Sequence, residues 1–222
     1  MSLQVLYYKN GLLVLNKVAG VCSDQHENEQ VMSMEARVKE LFWRYKLAHR
    51  IDKQTTGILL FASQDVKIDR SSTYNWLKSK WQSNVQKEYL AIIPHPTWES
   101  MVCDTPLPDG DGKIGPAVTS FRVVGRISNE HALVKCTLTK GGKKHQIRIH
   151  AREKELPLFG DYVYGGARSK LRNGQLLHAW KMGITLPYAK LNFQAPIPND
   201  FKQFSFDWQS IDIGANKITS FD

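Results

Sequence analysis

Short apolar runs separated by polar turns dominate the chain. Val5 to Tyr8 and Leu12 to Leu15 flank Lys9-Asn10-Gly11, and Asn-Gly between two apolar runs signals a hairpin. Met32 to Trp43 carries Met34, Val38, Leu41 and Phe42 at helical spacing and predicts a helix. His49 to Ile51 reads as extended, followed by a Thr-rich turn and a buried strand from Ile58 to Phe61. A second helix is predicted over much of Asp65 to Trp81, although Ser71-Ser72-Thr73 is a poor helix interior that breaks such a run readily. Beyond it the period shortens to two. Lys87 to Ile93, Thr119 to Val124 and His131 to Thr139 read as strands. Pro106 to Lys113 is a turn-rich loop, the place expected for a hinge or a length-variable excursion. His145 to Glu155 predicts a helix whose N-terminal end favours a phosphate. Leu176 to Pro187 and Leu191 to Phe193 read as closing strands. Strands outnumber helices and follow one another in sequence, which argues an α+β fold with a mixed, largely antiparallel sheet.

Length and composition narrow the class. A chain of 222 residues suits one domain, or one domain with two lobes, and buries a substantial core. A hydrophobic fraction of 42% and mean hydropathy of −0.38 are those of a soluble globular protein. No apolar run approaches the ~18–20 residues that span a bilayer. The opening MSLQVLYYKNG lacks the basic and apolar regions of a secretory signal. Cys22, Cys103 and Cys136 are widely spaced, with no CxxC pair and no histidine at metal spacing. They read as reduced, buried thiols in a cytoplasmic protein, and no metal site is expected. Repeats and low-complexity tracts are absent.

Charge changes the picture more. A net charge of +9 favours a polyanion as partner. From Lys140 to Lys154 six Lys or Arg face one Glu, with histidines at 145 and 150. Clustered cations of this kind are the footprint of nucleic-acid binding. No stretch joins this charge to a clean amphipathic stripe, which argues against a membrane surface.

The candidate chemistry centres on His49-Arg50-Ile51-Asp52-Lys53-Gln54-Thr55-Thr56-Gly57, one carboxylate beside an arginine at the start of a buried strand. An aspartate in a turn is most often a structural Asx-turn residue. What argues for chemistry is the second basic stretch, Lys143-Lys144-His145-Gln146-Ile147-Arg148-Ile149-His150. A kinase-like reading of His49 to Asp52 fails, because Asp does not directly follow Arg and no Gly-rich loop or DFG exists.

Five stretches, in order, resemble the RluA family of pseudouridine synthases. His49 to Gly57 resembles the family's HR-hydrophobic-D-x-x-T-S/T-G. Asn16-Lys17-Val18-Ala19-Gly20 resembles NKPxG, Lys87-Glu88-Tyr89-Leu90-Ala91 resembles K-x-Y-x-A, and His145 to His150 resembles HQIRxH. Gly160-Asp161-Tyr162-Val163-Tyr164-Gly165-Gly166 resembles the family's GD-x-x-YG loop. The likeness runs from about Leu12 to Pro187.

The resemblance implies a bent central sheet flanked by helices, with two lobes around an RNA-binding cleft. It implies isomerisation of uridine to pseudouridine in structured RNA, with no redox cofactor, metal or energy source. Asp52 takes the role of the essential carboxylate, Arg148 that of the basic residue paired with it, and Tyr89 that of a base-stacking residue and candidate proton acceptor. Arg50 matches a residue that occupies the space left by a flipped base. Lys87, on the same strand face as Tyr89, contacts a phosphate or packs structurally. Lys143, Lys144 and His145 neutralise phosphates. Thr55 and Thr56 shape the turn.

Two departures stand out. Val18 replaces the family's usual Pro, and Lys143 its usual Arg, which keeps charge but loses bidentate geometry. Residues 1–222 are expected to form a single catalytic domain, monomeric, without a separate basic N-terminal RNA-binding domain. Target choice then falls to the core and its loops, with a tRNA or rRNA stem-loop as the expected partner. The competing reading is a catalytically weak RNA-binding or remodelling module on the same fold. The joint presence of Asp52, Tyr89 and Arg148 argues against it.

Overall fold

A computed structural model describes residues 2–25 and 30–211, and the backbone of 217–220. In chain order the main elements are β1 (Val5–Lys9), β2 (Leu12–Lys17), α1 (Met34–Leu41), β3 (Tyr45–Leu47), β4 (Thr56–Ser63), α2 (Thr73–Asn84) and β5 (Val85–Pro94). They continue with β6 (Ser100–Cys103), β7 (Val118–Arg126), β8 (His131–Lys140), α3 (Gln146–Glu153), β9 (Leu177–Leu186), β10 (Ala189–Gln194) and β11 (Lys217–Ser220). The chain divides into two compact units. Unit 1 comprises Met1–Val85, Ala179–Pro196 and Gly214–Asp222, and unit 2 comprises Gln86–His178 and Ile197–Ile213. The α+β class expected from sequence is what the structure shows.

Unit 1 is a sheet in which β2 pairs antiparallel with β1 and β4, and β10 pairs antiparallel with β9 and β11. The short β3 joins the far edge of β4. The β1–β2 hairpin turns at Asn10 and Gly11, both with positive φ (54° and 72°), as the Asn-Gly signal predicts. All eight residues of β4 are buried, which is why it reads as a continuous apolar run rather than an alternating one. Leu12, Val14, Leu60, Leu77, Ile184 and Phe193 belong to its core.

The first helix is shorter than the predicted Met32 to Trp43. Ser33 caps it, its side chain accepting from Ala36 N at 3.1 Å. Leu41, at its end, is 69% exposed. Phe42 leaves the helix to pack against Tyr8 and Tyr45, with ring centroids 5.0 and 6.1 Å away. The second predicted helix also starts late. Asp69 and Arg70 turn with positive φ, Ser72 caps α2 by accepting from Asn75 N, and Asp65 to Ser71 lies outside it.

Unit 2 is built on the antiparallel pairs β5–β8, β8–β7 and β7–β6. Leu90, Ile92, Phe121, Leu133 and Val134 are buried. The predicted loop Pro106 to Lys113 holds part of a small ladder, Leu107–Pro108 against Ile114–Gly115, with Asp109 accepting from the backbone N–H of Asp111 and Lys113. No helix among the described residues is long and apolar enough to cross a membrane.

Candidate active site

Asp52 lies half-buried in the turn between β3 and β4. The main chain on both sides of it is held. Ser23 Oγ donates to the Ile51 carbonyl (2.7 Å) and accepts from Ile51 N (3.1 Å). The Lys53 carbonyl accepts from Gly20 N and from the Lys17 ammonium, each at 2.9 Å. Thr55 N closes the turn on the Asp52 carbonyl at 3.0 Å.

Lys17 is the unforeseen part of this arrangement. It is wholly buried, and its ammonium donates to the carbonyls of Val18 (2.9 Å), Val21 (2.8 Å) and Lys53. An ammonium has three N–H donors, so all three are matched and the cost of burying the charge is offset. Sequence reasoning marked Asn16 to Gly20 as a motif without seeing its use. The available signal was a lysine closing an otherwise apolar strand.

Arg50, in contrast, is exposed, with Nε 3.1 Å from Asp24 Oδ2. An ion pair at the surface is weak and gives way readily to another anion. His49 Nε2 accepts from Leu60 N at 3.2 Å, so this histidine serves the strand. Thr55 and Thr56 are buried.

The remaining expected site residues lie in unit 2. Lys87 and Tyr89 share the buried face of β5, at 8% and 7% exposure, with Tyr89 opposite Cys136. Burial pulls the Lys87 ammonium down to about 8 from its ordinary 10.5. A Cβ on Gly142 would stand only 3.0 Å from Lys87 Nζ, so the lysine head packs under that turn. The Cys136 thiol is pushed up by burial and is held as an inert thiol.

The basic turn that precedes α3 is pinned by Gln146. Its Oε1 accepts from Gly142 N (2.7 Å) and Lys143 N (3.1 Å). Its Nε2 donates to Val118 O, Thr119 Oγ1 and Lys140 O at 3.0–3.2 Å. Lys144 is exposed, whereas Lys143 reaches Asp109 at 3.7 Å. His145 is not the first helical residue, as expected, but a left-handed one (φ 58°) whose Nδ1 meets the Tyr164 hydroxyl at 2.9 Å.

Arg148 is buried rather than a surface cation. Its Nε donates to Asp161 Oδ2 at 2.7 Å and its Nη2 to Asp161 Oδ1 at 2.8 Å, while its guanidinium lies 4.9 Å from the Tyr164 ring centroid. The sequence marked the loop holding Asp161 and Tyr164 but assigned neither a role. The glycines of that loop allow a tight fold: a Cβ on Gly160 would strike the Gly174 carbonyl, and one on Gly166 the Leu158 carbonyl.

A group of possible metal ligands also comes together here: Cys103, His150 and Glu153 have ligand atoms within 4.8 Å of one another. Sequence spacing hid it, because β6 brings Cys103 to α3 from far along the chain. Both imidazole nitrogens are already engaged, Nδ1 with Thr119 Oγ1 (2.9 Å) and Nε2 with the Thr105 carbonyl (3.0 Å). The Cys103 thiol donates to Glu153 at 3.5 Å. The group has the chemistry of a closed hydrogen-bonded cluster.

The structure thus places Asp52 and Arg50 in unit 1, and Lys87, Tyr89, Lys143, Lys144, His145 and Arg148 in unit 2. Residues 11–153 match the family model described as RNA pseudouridylate synthase. The dual-specificity RNA pseudouridine synthase RluA of Haemophilus influenzae is 32% identical over 199 residues, covering 83% of this chain and 88% of that protein. Ribosomal large subunit pseudouridine synthase D of Neisseria meningitidis serogroup A is 30% identical, over 90% of this chain and 59% of the relative. In fold, the chain is similar to human RNA pseudouridylate synthase domain containing 1, with a TM-score of 0.71 at 18% identity over 100% of this chain and 90% of the other.

Proposed function

The chain belongs to the RNA pseudouridylate synthase family, an enzyme that isomerises uridine in RNA to pseudouridine, and on that premise we propose that it acts on specific uridines of a structured tRNA or ribosomal RNA, with Asp52 as the essential carboxylate. The reaction breaks the C1′–N1 bond, turns the base and rejoins the sugar at C5. The C5 proton is lost and N1 regains one, so the atoms balance without an external reagent. A carboxylate serves such an exchange by dividing it into two easier steps. Supporting Asp52 is the turn that carries it: main-chain hydrogen bonds on both sides fix the backbone, and a buried ammonium anchors the whole. A catalytic group needs this kind of fixed backbone, because small displacements of the reacting atom cost large factors in rate.

Tyr89 is the proposed stacking partner of the flipped uracil and the group that takes the C5 proton, and Arg148 the guanidinium of the reaction. Arg50 is proposed to fill the gap the base leaves in the stack, its exposed guanidinium being held by a surface ion pair to Asp24 that gives way readily to another anion. Lys143, Lys144 and His145 contribute phosphate contacts, and Lys87 supports the turn above them. The relatives' names, one dual-specific and one directed to the large ribosomal subunit, favour a stem-loop of tRNA or rRNA as target. The enzyme is proposed to work in the cytoplasm as a monomer, and as a single catalytic domain.

The test is tritium release from RNA labelled at uridine C5, taken from host cells lacking the gene. Wild type is expected to release tritium. Asp52→Asn is expected to release none while binding RNA within about tenfold of wild type, since phosphate contacts supply most of the affinity. Release by the folded variant would remove Asp52 from the reaction.

A further inference from the structure

The Gly160 to Gly166 loop contributes the carboxylate that Arg148 holds. Asp161 is 1% exposed at its side chain and Arg148 6%. The contact is a two-point fork through Nε and Nη2, at 2.7 and 2.8 Å. Such a fork fixes the guanidinium plane as well as its position. The Tyr164 ring lies against the guanidinium at 4.9 Å, and His145 Nδ1 holds the Tyr164 hydroxyl at 2.9 Å. The main chain that carries this carboxylate is itself held. Asp161 N donates to Leu158 O, while its own carbonyl accepts from Tyr164 N and Gly166 N. Glycine at 160 and 166 permits that compact loop.

We propose that Asp161 is a positioning residue for the isomerisation, fixing the orientation of Arg148 and compensating its charge, with Tyr164 and His145 as the second support. The proposal rests on the reading of Arg148 as the guanidinium of the reaction. Two consequences separate it from a merely structural ion pair. First, the fork engages Nε–H and one Nη2–H, so any further acceptor is met by Nη1 or by the outer Nη2–H, in directions set by Asp161. Second, a neutralised guanidinium attracts RNA phosphates less strongly than a bare one. Loss of the Asp161 charge therefore misaligns Arg148 without weakening RNA binding.

The experiment measures initial rates of tritium release over a range of RNA concentrations, using the same C5-labelled RNA, for four proteins. These are wild type, Asp161→Asn, Arg148→Met and the double variant, each checked for cooperative thermal unfolding. Asp161→Asn is expected to lower kcat about 10- to 100-fold, up to the scale of a misplacement of about 1 Å at a reacting group, with KM unchanged or lower. In the Arg148→Met background the same substitution is expected to change kcat less than about twofold, because coupled residues are not additive. An equal loss in both backgrounds, or a rise in KM alone, overturns the proposal. Should Asp161→Asn not fold, Asp161→Glu keeps the charge and shifts the fork by one methylene. A tenfold or larger loss of kcat at constant KM then supports the proposal, and full activity overturns it. If wild type releases no tritium, the isomerase reading itself fails. An active wild type with an unaffected Asp161→Asn variant sinks the positioning role alone.

Discussion

At the scale of single residues, two buried lysines do opposite things with their charge. Lys17 has all three N–H groups matched by carbonyls, and one of those carbonyls belongs to Lys53, next to Asp52. Lys17→Met keeps the length but leaves three carbonyls short of a donor. It should destabilise unit 1 by about 3 kcal/mol and reduce turnover beyond what the lost folded fraction explains; urea unfolding and tritium release on the same sample check both. Lys87 is instead dominated by desolvation. Its folded value of about 8 lies below its ordinary 10.5, so between these pH values the folded state holds fewer protons than the unfolded chain. Stability should therefore rise with pH across that window, having been lower below it, where the buried ammonium must stay charged. Lys87→Met should lack this rise, and urea midpoints taken from pH 7 to 10.5 for both proteins will show it. Neither lysine could be sorted from sequence. Lys17 and Lys87 stand in similar strand patterns, and the gathering of the Val18, Val21 and Lys53 carbonyls on the Lys17 ammonium is set by the fold of the turns around it.

Among the elements, legibility followed the length of the pattern. The long strands β5, β7, β8 and β9 were readable because their alternation or apolar runs last for nine or ten residues. β3 and β6 were not. Three or four residues, with Lys46 exposed and Val102 at 59% exposure, give no period to read. Helix starts were misjudged for a related reason: Ser33, Ser72 and Gln146 set them by local hydrogen bonds, whereas periodicity sees only buried faces. Gln146 shows what such a residue does at the scale of an element, since five hydrogen bonds from one amide tie α3 to β7 and to the basic turn. Gln146→Ala should cost about 2 kcal/mol of stability and weaken RNA binding, while leaving its salt dependence nearly unchanged because every cation remains. Lys144→Ala should do the reverse, sparing stability and lowering the slope of log K against log salt by about 1. Binding measured at several salt concentrations distinguishes the two.

For the whole molecule, motif order announced the family, the α+β class and two lobes, but not which segments of the chain make up each unit. Unit 1 is assembled from segments more than a hundred residues apart. Gly57, at the start of β4, has φ +103°, and a Cβ there would strike the Ala179 carbonyl of the returning chain. Gly57→Ala should therefore destabilise unit 1 by about 3 kcal/mol or more, read as a lowered thermal midpoint. The sequence offers this glycine as a strand opener; its partner comes from the other end of the chain.

That return has a consequence for synthesis. The strand that faces Gly57, and β10 beside it, leave the ribosome only after residues 86–178 have been made. At about 5–20 residues per second, the apolar faces of β2 and β4 wait several seconds or longer for their neighbours. Throughout that interval Lys17 and Ser23, the local tethers of the Asp52 turn, have already been made, but its strand has no complete sheet. The nascent enzyme thus carries its proposed carboxylate well before it has the framework that makes the carboxylate useful, and it is in this window that a chaperone or an early misfold would act.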